Sequence, residues 1–247
     1  MPLRESEAVV LRTFPLGEAD RLVSFFSRSS GKLRGVARGA RRPKSRFGST
    51  LEPLSHIRIW YYERETRELV RISQCELIES FLDLQANYDA GLALALISEI
   101  AEAVLPEREA ADAMFRLVLT ATRALRTAKS PELPVTYFCL WTVRLSGWLP
   151  SLDRCGRCGR TLAEEAAYAS PGQTGLTCPA CRRPGLRTLS AESLTTARRM
   201  LGEKLERLLG EPAAPTRLGD LREYLLDVIE YQIERKLTTR RMRESEA

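Results

Sequence analysis

Four cysteines and one run of cations carry most of the chemistry this chain could do. Cys155-Gly-Arg-Cys158 and Cys178-Pro-Ala-Cys181 are two CxxC pairs separated by nineteen residues, a spacing that suits a four-cysteine metal site. Each pair offers two thiolates from one tight knuckle, and Gly159 suits the turn that aims backbone amides at sulfur. Zinc is the expected ion. Four thiolates complete its tetrahedron and leave no position for water or substrate, so its expected role is structural. The segment is short and poor in apolar residues, so metal binding would supply much of its folding free energy. Arg154, Arg157, Arg160, Arg182 and Arg183 surround the knuckles. Two roles are open to them: meeting phosphate, or staying solvated while offsetting the charge of roughly −2 on a four-thiolate zinc centre.

The cations lie near the N-terminus. Between Asp20 and Glu52 there is no acidic residue, while Arg21, Arg28, Lys32, Arg34, Arg38, Arg41, Arg42, Lys44 and Arg46 accumulate, with Gly31, Gly35, Gly39 and Gly48 among them. Glycine permits close backbone approach, and each phosphate neutralised releases condensed counterions, so nucleic acid is the natural partner. The net charge is only +6, which makes the run a local footprint and not a general property.

Catalytic constellations are missing. His56 is the only histidine and sits in a strand-like pattern without suggestive neighbours, so a structural or surface role is expected. Gly31-Lys32 does not complete a phosphate-binding loop: that motif needs glycine where Phe26 stands and Ser or Thr where Leu33 stands. No His-x-Glu element of a zinc deaminase exists. A non-catalytic chain is expected. Arg58, Trp60 and Tyr62 alternate on one strand face, which suits base stacking or, alternatively, packing at a barrel end or against helices. Cys75 and Cys139 read as small buried apolar residues.

The elements that must position these groups fall into three regions. Short alternating runs over Glu7–Phe14, Arg21–Ser27, Lys32–Ala37, Leu54–Tyr62 and Glu68–Gln74 predict five strands. Five strands in so short a stretch fit a small closed barrel, for which the OB-fold is the usual solution, although the pattern does not separate it from an SH3-like barrel. Helical periodicity then begins near Leu82: Tyr88, Leu92, Leu96 and Ile100 fall four apart, and Pro106 ends the helix. Further helices are predicted over Ala110–Lys129, from Pro131 through Trp148, over Ser190–Leu209 and over Leu218–Leu237, with an insert from Pro150 to Arg187. Gly210 to Pro215 reads as a turn or linker, and the cations of the final run, Arg235 to Arg243, would complement a helix C-terminus. The domain reading is thus 1–80 for an OB-fold nucleic-acid-binding domain and 81–247 for a helical domain with a zinc finger at 150–187. No run of about eighteen apolar residues marks a membrane span. The opening Met-Pro-Leu-Arg-Glu-Ser-Glu leads straight into a strand pattern without a signal-peptide apolar region, so a cytoplasmic protein is expected.

Three features together resemble the RecO family of bacterial DNA repair and recombination mediators. The first is Gly17-Glu-Ala-Asp20-Arg-Leu-Val, followed by Gly31-Lys32 and Ala37-Arg-Gly-Ala-Arg-Arg-Pro-Lys-Ser-Arg-Phe47. The second is Glu52-Pro-Leu leading into an aromatic-rich strand. The third is Leu145-Ser-Gly-Trp-Leu-Pro150-Ser-Leu directly before Cys155. The resemblance implies an N-terminal OB-fold and a helical remainder that carries a zinc finger. It implies binding to single- and double-stranded DNA, annealing of complementary strands, and partnership with RecR. It further implies help in loading RecA onto DNA coated with single-strand binding protein (SSB), whose acidic C-terminal tail would dock on the helical part, and a place at the bacterial nucleoid. Lys32, Arg34, Arg38, Arg41, Arg42, Lys44 and Arg46 match the family's basic DNA-binding stretch. An RNA-binding factor associated with ribosomes or transcription is the alternative, since a barrel and a zinc knuckle also serve RNA.

Overall fold

A computed structural model describes residues 3–63, 68–162, 164–211 and 218–244. The chain forms two compact units, one ending at Thr122 and the other beginning at Arg123.

In the first unit, strands β1 (Leu3–Leu16), β2 (Asp20–Ser27), β3 (Gly31–Ala37), β4 (His56–Tyr62) and β5 (Leu69–Glu79) close into a barrel of order β1-β2-β3-β5-β4. Only the β3–β5 pairing is parallel; β4 returns antiparallel to β1. This is a five-stranded OB-fold barrel, which resolves the choice that alternation alone left open. Period-two patterning builds it: Ile57, Ile59 and Tyr61 point into the core, while Arg58, Trp60 and Tyr62 face outward. Burying each large side chain contributes about 1.5–3 kcal/mol, and Tyr61 adds an edge-on contact to Phe25 at 5.7 Å.

β1 is long because it pairs on both sides, with β4 over Leu3–Val9 and with β2 over Ala8–Leu16. A bulge between Val10 and Arg12 bends it around the barrel and takes Leu11 out of the ladder. The Leu11 carbonyl instead accepts from Ser98 Oγ at 2.6 Å. Ser98 belongs to α1 (Tyr88–Val104), whose N-cap Asn87 accepts from the Ala90 amide. The same helix receives Ser24 Oγ on the Glu102 carboxylate and the Lys32 ammonium on the Glu102 carbonyl, 2.6 and 2.8 Å away. Helix α2 (Asp112–Ala124) follows, and its Phe115 meets Phe26 and His56 edge-on. The single histidine is therefore a buried packing residue.

The second unit is built on α3 (Glu132–Leu145), whose Phe138, Cys139, Leu140 and Val143 are fully buried. α3 packs on α6 (Gly219–Gln232), with α4 (Ala191–Gly202), α5 (Leu205–Leu209) and α7 (Thr238–Glu244) completing the helices. Trp141 Nε1 donates to the Met200 carbonyl at 3.0 Å. The helix expected over Ser190–Leu209 is two helices, because Glu203 and Lys204 adopt extended backbone. The helix expected to reach Leu237 stops at Gln232. Its carboxylate Glu230 accepts the Leu237 amide at 2.9 Å and so turns the chain into α7. Part of the expected Gly210–Pro215 turn lies outside the described residues. The insert holds a small antiparallel ribbon of β6 (Ala167–Ala169) and β7 (Arg187–Leu189), and the cysteine quartet lies in this helical part.

Candidate nucleic-acid interface and thiolate centre

The segment between β3 and β4 is a succession of turns, held from inside by apolar plugs and from outside by the β1–β2 hairpin. Ala40, Phe47 and Leu51 enter the barrel core. The Gly39 amide donates to Asp20 Oδ1 at 2.8 Å, and the Arg41 amide donates to the Ala19 carbonyl at 2.9 Å. Arg41 Nη1 reaches the Gly17 carbonyl at 2.8 Å. With its apolar residues turned inward, the loop presents Arg38, Arg41, Arg42, Lys44 and Arg46 to solvent. Among the described residues Arg38, Arg42 and Lys44 form no ion pair, and Arg46 lies over the Phe47 ring at 5.1 Å.

The other two predicted contacts lie elsewhere. Lys32 is buried in β3, its ammonium on the C-terminal turn of α1, where the helix dipole favours a cation. Arg34 is exposed on the outer face of β3, 3.8 Å from Glu102 and 3.7 Å from Glu107. Trp60 stands half-buried on the barrel's outer face and donates to Glu5, which Arg58 also approaches at 3.6 Å. These aromatic and cationic groups therefore share their surface with acids. Asp20 is the loop anchor that pattern reading overlooked; its one signal was position, as the last acid before the acid-free stretch.

In the second unit the four cysteines converge. The sulfurs of Cys155, Cys158, Cys178 and Cys181 all lie within 4.8 Å of one another, with Cys158 and Cys178 at 3.8 Å. A tetrahedral ion with bonds of about 2.3 Å needs neighbouring sulfurs about 3.8 Å apart, so the donor set fits a metal ion held by thiolates. Each knuckle is closed by its own backbone: Gly159, at φ +72°, donates to the Cys155 carbonyl at 2.9 Å, and Cys181 donates to Cys178 at 3.0 Å. The left-handed backbone at Gly159 is the reason glycine follows Cys158. Desolvation opposes ionisation of Cys155, but the amides of Cys178, Cys158 and Arg157 outweigh it and hold this thiol near 6. Hydrogen bonds to Cys158 and Cys178 push the Cys181 thiol up to about 12. A cation bound between the four sulfurs would favour the ionised form of all of them. Of the surrounding arginines, Arg160 pairs with Glu165 and Arg182 stacks on Tyr168 at 4.5 Å.

Of the C-terminal cations expected to complement a helix end, Arg240 turns to the acids of α6. It is half-buried against Glu223, Asp227 and Glu230 at 2.6–2.9 Å. The Arg243 side chain lies outside the described residues.

An OB-fold barrel bearing an acid-free cationic loop, together with a helical unit bearing a thiolate centre, defines the class. Comparison with known proteins gives the family. Residues 1–81 match the family model described as Recombination protein O N terminal, and residues 85–241 match Recombination protein O C terminal. Proteins named DNA repair protein RecO are similar along almost the whole chain. The one from Koribacter versatilis is 41% identical over 237 residues, covering 96% of each chain. That of Bifidobacterium adolescentis is 35% identical, covering 98% of this chain and 99% of its own length. That of Nocardioides sp. is 34% identical, with 95% and 96% covered. The chain belongs to the RecO family of DNA repair proteins. No helix among the described residues is long and apolar enough to cross a membrane.

Proposed function

We propose that this chain is a non-catalytic mediator of DNA repair and homologous recombination that grips single- and double-stranded DNA through the 38–46 loop. Domain 1–80 carries that contact, with Arg38, Arg41, Arg42, Lys44 and Arg46 as the phosphate ligands and with Lys32 and Arg34 behind them. The observation that carries the reading is a tethered loop whose exposed cations have no acid to neutralise them among the described residues. Annealing then needs no bond chemistry. Two polyanions repel; a protein that neutralises backbone on each strand lowers the repulsion and leaves base edges free to pair. In this reading 81–247 is the partner-binding domain, RecR is the working partner, and the acidic tail of SSB docks on the helices. The outcome is RecA loading at the nucleoid, in the bacterial cytoplasm. Zinc is the proposed ion at Cys155, Cys158, Cys178 and Cys181; it stiffens the insert and supplies no chemistry to substrate.

Replacing Arg38, Arg41 and Arg42 with alanine together lowers the slope of log K against log salt by about 0.7–0.9 per lost contact. An unchanged slope removes the loop from the interface. In a companion assay, the unaltered chain speeds pairing of complementary oligonucleotides coated with SSB, and the triple variant does not.

A further inference from the structure

The cysteine-rich insert bears an open cavity of about 290 Å³ beside the metal-type centre. Its walls come from both knuckles: Gly156 and Arg157 from the first, Cys181 and Arg183 from the second, with the turn Gly172-Gln173-Thr174-Gly175 opposite. Among the described residues no acid lines it, while two guanidiniums do. Arg157 is steered by a 3.4 Å hydrogen bond from Nη1 to the Cys181 carbonyl, which leaves its remaining donors uncommitted. Arg183 has no partner among the described residues. The floor is stiff. Gly156 and Gly175 meet backbone to backbone so closely that a Cβ on either would come within 3.1 Å of the other's Cα, and Gly156 donates to Leu176 at 2.8 Å.

Two planar cationic forks beside a glycine-rich turn match the shape and charge of a phosphate, whose oxygens accept from guanidinium pairs and backbone amides. An acidic peptide fits less well, because Leu186 is the one large apolar side chain in the lining and offers no slot for a peptide's apolar residues. We infer that this cavity is a second phosphodiester-binding site, in which Arg157 and Arg183 hold a backbone phosphate of a nucleic-acid strand. The inference rests on the DNA-binding reading and extends it to the second unit. Since the walls come from both knuckles, the site exists only while the four thiolates are clamped.

The full chain, loaded with zinc and labelled with 15N, is titrated with a 5′-phosphorylated thymidine dinucleotide, with inorganic phosphate and with an acidic nonapeptide. The expected result is dinucleotide-dependent shifts of the Gly172 and Gly175 amides and of Arg157 Nε. These shifts vanish in Arg157→Ala/Arg183→Ala, while the thiolate absorption of the cobalt-substituted protein persists. For a single-stranded oligonucleotide, the same variant lowers the log K against log salt slope by about 1.4, at about 0.7 per contact. If the double variant loses the cobalt signature, Arg183→Gln alone is used, with an expected fall of about 0.7.

No shift with the dinucleotide, shifts with inorganic phosphate or the peptide but not the dinucleotide, or a slope the pocket variant leaves unchanged each overturns the assignment. A slope lowered by the loop variant but not the pocket variant discards this site and keeps the loop. The reverse discards the loop and keeps this site.

Discussion

The Lys32 ammonium lies 2.8 Å from the Glu102 carbonyl, tying the third barrel strand to the C-terminal turn of α1. A cation placed there satisfies a terminal carbonyl and complements the negative end of the helix. Lys32→Met therefore costs about 1.5–3 kcal/mol of stability, the range of a hydrogen bond to a charged group. It leaves the salt slope of DNA binding where it was. Urea unfolding measures the first effect and fluorescence anisotropy at several salt concentrations the second. A slope reduced by one contact would return Lys32 to the DNA surface.

Asp20 holds the cationic loop through the Gly39 amide. Removing its charge favours DNA whatever replaces it, so the informative comparison is between two neutral variants. Asp20→Asn keeps an acceptor; Asp20→Ala does not. At about 0.5–1.5 kcal/mol for the bond, the alanine variant binds DNA about two- to tenfold more weakly than the asparagine variant. Their salt slopes match, because the cations are the same. Equal affinities would show that the loop does not depend on this tether.

Chelation of the thiolate centre, or Cys155→Ser with Cys178→Ser, exposes the insert to protease. New cleavage is expected within 150–187, because so short a segment has little apolar core to hold it without the ion. Mass spectrometry of the fragments locates the cuts. A chelated chain as resistant as the loaded one would separate the fold of the insert from metal.

Alkaline pH acts on the two cysteines outside the quartet. Burial pushes the thiols of both Cys139 and Cys75 up to about 12, against about 8.5 in an unfolded chain. The raised folded value means their contribution is complete below pH 8.5 and is lost as pH climbs toward 12, while the unfolded chain ionises first. Each costs about 1.4 kcal/mol per pH unit within that window. Cys139→Ala is less stable at pH 8 because it leaves a cavity, yet its stability falls less steeply between pH 9 and 10.5. Parallel curves for the two proteins would contradict this.

Much of the fold could be read from residue pattern, and what could not has physical causes. Ile57, Ile59 and Tyr61 alternate cleanly because β4 has one face in the core. The start of β1 lacks a strand signal because Leu3, Arg4 and Glu5 are all exposed where they pair with β4, so no alternation marks them. The break after Gly202 was missed because Leu201, Leu205 and Leu208 keep helical spacing across two extended residues. The chain reversal after Gln232 depends on Glu230, a buried acid whose partners Leu237 and Arg240 lie beyond the helix. Local periodicity carries no trace of that bond. At the sites, the CxxC spacing sufficed for the thiolate centre. The cationic run did not reveal that Lys32, on the outer face of β3 where α1 covers it, differs from Arg38 on the loop beyond it.

Closure of the barrel has a bearing on crowding. Every one of its strands has a neighbour on both sides, so no strand runs its full length as a bare edge for another copy to extend. Copies held at high local concentration can thus lie side by side without their sheets fusing.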